Sequence, residues 1–204
     1  MSAFRAARMA ASFEEFSHLK IDWTNIYPSY LVPIIRINEQ GQRELTKARW
    51  GLIPNWSKQK PKKPPHNARC ETVATNGMFR GAFARGRCLI PADGFYEGAK
   101  TKLSFIHRRD DELFAFAGIY DRWNTGDDSL DTCAIITSEP NELIKPIHHR
   151  MPIILRSEEH ELWLNPNSSI EELQILLNNR DEMKDYEITP IANAKTTNQG
   201  SLFE

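Results

Sequence analysis

Glu97 ends a mostly apolar and aromatic run, Leu89 to Tyr96, that only Asp93 interrupts. A carboxylate seated among aromatic rings is poorly solvated as an anion. Its pKa rises, and it can pass a proton as general acid or base. The plainer reading is a strand-end glutamate facing water. A second proton carrier stands at His148-His149-Arg150, just before the strand-like stretch Met151 to Leu155. Histidine titrates near neutrality, and neighbouring side chains of an extended segment point to opposite sides, so at most one imidazole serves a site. The plainer reading is a surface pair. The two histidines lack helical spacing to further ligands, so no metal site is expected.

Asn67 and Arg69 alternate along an extended segment after Pro64-Pro65. An amide and a guanidinium on one face can hold a sugar oxygen or a phosphate. Otherwise they are an asparagine satisfying backbone and a surface arginine. Cys70 points away from that pair and reads as a small core residue. The same stretch lies in a zone of positive charge. From Arg43 to Cys88 there are eleven Lys or Arg against two acids, in a chain whose net charge is −1. A nearly neutral protein with its cations gathered in one quarter is suited to meet a polyanion there. Trp50 and Trp56 lie inside the zone as planar faces on which an unpaired base could stack. A solvated basic loop is the plainer alternative.

The chain has 204 residues, 40% hydrophobic and 26% charged, which suits one soluble domain spanning 1–204 with a sizeable core. No apolar run is long enough for a membrane span, and the first residues carry no signal-peptide apolar stretch. Cys70, Cys88 and Cys133 are odd in number and lack metal spacing, which favours a reduced, cytoplasmic setting. We expect a monomer without cofactor.

Strands are expected at Leu31–Ile37, with Pro33 marking an edge or entry position, and at Glu44–Trp50 after a turn at Glu39–Gln42. Further strands are expected at Arg87–Ala92, Gly94–Glu97, Leu103–His107, Leu113–Ile119, Thr132–Thr137 and Met151–Leu155. Helices are expected from Ser12, over Thr72–Phe83 with interruptions near Gly77 and Gly81, from Ser138 to about Ile147, from Ser157 through Trp163, and from Ser168 through Leu177. Lys58–Pro65 reads as an exposed loop. The mixture lacks a βαβ rhythm, so the class is α+β.

In order along the chain, these segments resemble the SRAP family, the SOS-response-associated peptidases or abasic site processing proteins. Asn25-Ile26-Tyr27-Pro28-Ser29 resembles the family's Asn-hydrophobic-Ala-Pro-Thr. Arg49 to Trp56 matches WGLIPxW, and Asn67 to Thr72 matches NARxET. Arg87 to Glu97 matches RCLIPADGFYE, and Ile147 to Pro152 resembles IHDRMP. The resemblance implies a strand-rich, barrel-like mixed sheet with peripheral helices, and a basic groove for single-stranded DNA containing abasic sites. In the family an N-terminal Cys, exposed by loss of Met, condenses with the abasic aldehyde and closes a thiazolidine. By matched position, Glu97 and His148 would assist proton movement, and Asn67 and Arg69 would hold sugar and phosphate. Arg5 and Arg8 would add DNA contacts.

This chain departs from the pattern at its start, Met1-Ser2-Ala3-Phe4-Arg5-Ala6-Ala7-Arg8. One register puts Ser2 where the family has Cys, and another puts Ala6 there. Neither supplies a thiol. The expectation is therefore capture of abasic sites without a crosslink that survives heat and denaturant, an imine through the N-terminal amine remaining trappable by borohydride. Gly98 replaces the family's Trp, and His149 its Asp. The alternative is a non-catalytic relic that binds single strands. A true peptidase ranks below both, since no further nucleophile arrangement stands out.

Overall fold

The computed structural model describes residues 3–5 (backbone only), 25–99, 102–124, 126, 129–178 and 183–191. The strands are β1 (Ala3–Arg5), β2 (Leu31–Ile37), β3 (Arg43–Trp50), β4 (Asn67–Arg69), β5 (Arg87–Ala92), β6 (Gly94–Glu97), β7 (Ser104–Arg108), β8 (Phe114–Asn124), β9 (Ser129–Ser138), β10 (Met151–Pro152), β11 (Ile154–Leu155) and β12 (Tyr186–Pro190). The helices are α1 (Arg80–Arg85), α2 (His160–Leu164), entered through a 3₁₀ turn at Ser157–Glu159, and α3 (Ile170–Asn178). None of them is long and apolar enough to cross a membrane.

Strands β9, β3, β2, β5 and β8 follow one another, and β8 pairs back onto β9, which closes the sheet into a barrel. This α+β, barrel-like architecture is the one the sequence implied. Side chains alternate between two cores. Cys88, Ile90 and Phe116 join one cluster with Trp50 and Cys133, while Leu89, Ala117 and Ala134 join another beneath Phe83, Trp163 and Leu173. Burial on both faces explains why β5 reads as an apolar run from Cys88 to Ala92. A second sheet, in the order β1-β6-β7-β12, is antiparallel throughout.

Strand β9 organises the site. One of its edges takes β3 at Thr132 and Cys133, then β4 at Ile135 to Thr137, both parallel. Its other edge takes β8 and then β10. The chain between β3 and β4 thus leaves the sheet as a loop and returns two residues further along the same strand.

Several sequence expectations are corrected. Strand β2 is not an edge, since β3 and β5 flank it. Trp50 donates its N–H to Tyr30 O (2.9 Å) and Asn38 donates to Gln42 O (2.8 Å), so even-numbered residues of this hairpin face β3. Pro33 therefore turns its missing N–H toward β5, where Ile35 and Leu89 form the bridge recorded among the described residues. The helix expected over Thr72–Phe83, with interruptions near Gly77 and Gly81, is present only as α1, which runs on past Gly81. Asn76 Oδ1 accepts from Met78 N–H (2.9 Å), an Asx turn that interrupts the helical ladder before Gly77 can continue it. Residues 142–147 form turns instead of a helix, because Pro146 has no N–H to extend the bond from Lys145 N–H to Asn141 O (2.9 Å). Strand β12 was not foreseen, and β8 and β9 run further than expected. Their polar outer ends are held by Arg122, which donates to Asp131 directly opposite it (2.7 Å). The helix expected from Ser12 lies outside the described residues.

Candidate active site

Asn67 and Arg69 stand on β4, opposite Ile135 and Thr137 of β9. Ala68 between them is fully buried, so the two flanking side chains face away from the core. Arg69 is exposed, and Asn67 is half-buried. The Asn67 Oδ1 atom is buried and has no hydrogen-bond partner among the described residues. A buried amide oxygen in that state has lost water without gaining a donor, which is unfavourable unless a ligand provides one.

Trp50 does not offer a face to a base. It is 0% exposed, and its indole N–H donates to His66 O (2.7 Å) while its ring meets the His66 imidazole edge-on at 5.6 Å. It locks the entry to β4 from within the core. Trp56 is 64% exposed and remains the one stacking candidate of the two. Lys58, Lys60, Lys62 and Lys63 are exposed beyond it. Arg87, counted in the basic zone, is buried and belongs to the scaffold. Its guanidinium donates to the carbonyls of Phe83, Ala84, Trp163 and Asn165 at 2.6–2.9 Å, tying α1 to the end of α2.

Glu97 ends β6 and is 3% exposed. The chain can leave it sharply because Gly98 has φ +121°, and a Cβ there would lie 2.4 Å from Lys102 O. The departure from the family's Trp therefore coincides with a backbone turn that favours glycine. His148 Nδ1 lies 3.8 Å from Glu97 Oε1. The same nitrogen is 2.9 Å from Arg150 O and 3.2 Å from Arg150 N. His149 is the exposed member of the pair, its ring 4.3 Å from that of His148. Beside them opens a depression of about 620 Å³ lined by Glu139, Pro140, Lys145, Pro146, Ile147, His148 and His149.

Two features escaped the sequence reading. Burial pulls the His66 pKa down while the Glu97 charge opposes the shift, so the field of Glu97 reaches His66. Glu71 and Arg150 form a two-pronged ion pair, Nη1 to Oε1 and Nη2 to Oε2, both 2.8 Å. Arg150 holds the Glu71 carboxyl at about 2 instead of its usual 4.5. Their opposite charges were visible in sequence, but not the fold that joins them. Strand β1 pairs with β6, Ala3 opposite Tyr96 and Arg5 opposite Gly94, so its N-terminal end lies at the Glu97 end of β6. Ser2, Arg8 and the side chain of Arg5 lie outside the described residues.

The family model for SRAP, SOS response associated peptidase, matches residues 3–195. This chain belongs to the SRAP family. It is 43% identical to the abasic site processing protein YoqW of Bacillus subtilis (strain 168), over 88% of this chain and 84% of that one. It is 34% identical to the abasic site processing protein HMCES of Gallus gallus, over 62% of this chain and 47% of that one. A crystal structure of a Bacteroides thetaiotaomicron protein superposes with a TM-score of 0.79 at 31% identity, covering 95% and 90% of the two chains. The SRAP pattern thus accounts for the barrel, and for why motifs far apart in sequence meet around β4, β6 and β10.

Proposed function

We propose that this protein binds single-stranded DNA at abasic sites and processes them with Asn67, Glu97 and His148. The observation that carries the reading is the buried Glu97 carboxylate beside His148 Nδ1, at 3.8 Å, in the field that also reaches His66. The names of the SRAP relatives support it. An abasic sugar in its open form presents an aldehyde. Addition of an amine gives a carbinolamine, and loss of water gives an imine, each step moving a proton. Glu97 and His148 would carry those protons, a role their 3.8 Å separation supports. Asn67 would hold the sugar, Arg69 an adjacent phosphate, and Trp56 with the exposed lysines the strand beyond. The pairing of Ala3 with Tyr96, next to Glu97, supports an amine from the N-terminal side of β1 as the group that would meet the aldehyde.

The test uses oligonucleotides with and without one abasic site, single-stranded and duplex. We expect binding to single strands, and a borohydride-trapped adduct only with the abasic strand, located by mass spectrometry of its peptides. Equal binding to every oligonucleotide with no adduct would replace this reading with that of a DNA-binding relic.

A further inference from the structure

The Glu71–Arg150 ion pair takes no direct part in the proton transfer described above, yet it joins the two segments that carry it. Glu71 follows β4, two residues after Arg69. Arg150 precedes β10, two residues after His148. Beyond its two bonds to Glu71, Arg150 Nη2 donates to Thr137 O (2.7 Å), so the guanidinium is fixed to β9 as well. The Arg150 main chain in turn flanks His148. Its N–H can donate to Nδ1 when that nitrogen is bare (3.2 Å), and its C=O can accept when Nδ1 carries a proton (2.9 Å). One peptide residue therefore serves both protonation states of the ring, which a group that alternately gives and takes a proton requires.

We propose that Glu71 is a positioning residue for His148, acting through Arg150. This rests on the acid–base role given to His148 above. The Glu71 side chain is 41% exposed, and ion pairs that exposed add little to folding. Its geometric effect is larger. Without it the Arg150 guanidinium keeps, among the described residues, its bond to Thr137 O alone, and the loop bearing His148 is less restrained. The other charged or titratable groups around His148 are Glu97 on β6, His149 on its own loop, and Glu139 and Lys145 across the depression. A Glu71 substitution removes none of these groups.

The experiment compares the full chain with Glu71→Ala and Glu71→Asp. The ring-nitrogen NMR signals of His148, assigned with His148→Gln, report its tautomer balance without DNA. We expect Glu71→Ala to move that balance and Glu71→Asp to move it less. At saturating abasic DNA, Glu71→Ala should slow borohydride trapping by about 10- to 100-fold, as a misplacement near 1 Å does. Affinity for intact single strands should stay within about threefold. Unchanged ring-nitrogen signals would overturn the proposal, as would a rate loss that merely follows the loss of folded protein or of DNA affinity. If the parent chain traps no abasic DNA, the proposed function fails, while the nitrogen signals still decide the positioning of His148.

Discussion

Replacing Trp50 with alanine is expected to cost about 3–5 kcal/mol in denaturant unfolding, because it opens a cavity at the heart of the barrel. Replacing Trp56 should leave stability within about 0.5 kcal/mol and instead weaken single-strand binding by about 1–3 kcal/mol. The two tryptophans look alike in sequence, since both sit in the basic zone. What separates them is the strand alternation of β3, which sends Ala48 and Trp50 inward. Glu97 was legible from its aromatic neighbours, whereas the Glu71–Arg150 pair depends on a contact across 79 positions that no local pattern records. That pair also makes a pH prediction. Because the Glu71 pKa is depressed, its stabilisation is fully present above about 4.5 and is lost as pH falls through about 2. The melting temperatures of the parent and Glu71→Gln should therefore differ above pH 4.5 and converge toward pH 2. A difference that grows on acidification would contradict the assignment.

At the level of elements, the turn after β6 is the sensitive joint. Gly98→Ala places a Cβ against Lys102 O on a backbone at φ +121°, and strain of that kind costs about 1–3 kcal/mol. We expect it to lower stability by that order and to slow trapping further than the lost stability explains, because the Glu97 end of β6 must move. Wild-type trapping in Gly98→Ala would show that the turn does not set the carboxylate. Strand β5 and the inner parts of β8 and β9 were readable because both of their faces are buried and largely apolar. The irregular stretches were not, because a single side chain or ring decides them: Asn76 closes an Asx turn before α1, and Pro146 stops the turn before His148. Strand β12 escaped because Tyr186–Pro190 is short, ends in proline and carries a weak apolar pattern.

Over the whole molecule, positive charge is concentrated between Arg43 and Cys88 while the remainder is acidic. The fold diverts part of that charge into structure, most clearly at Arg87, and leaves the lysines of 58–63 and Arg69 exposed. Affinity for single strands should fall steeply with salt, with a log–log slope of about 0.7 per phosphate neutralised. Arg69→Ala should reduce that slope more than Lys62→Ala, since Arg69 is fixed on a strand beside the pocket; equal slopes would place the phosphate contacts elsewhere. The central claim is that Glu97 and His148 work together on an abasic sugar. The most direct measurement is the rate of borohydride-trapped adduct formation at saturating single-stranded abasic DNA for the parent, Glu97→Gln and His148→Gln. The account predicts that each variant slows trapping by about 100- to 10,000-fold with DNA affinity retained. Trapping at the parent rate in both variants would contradict it.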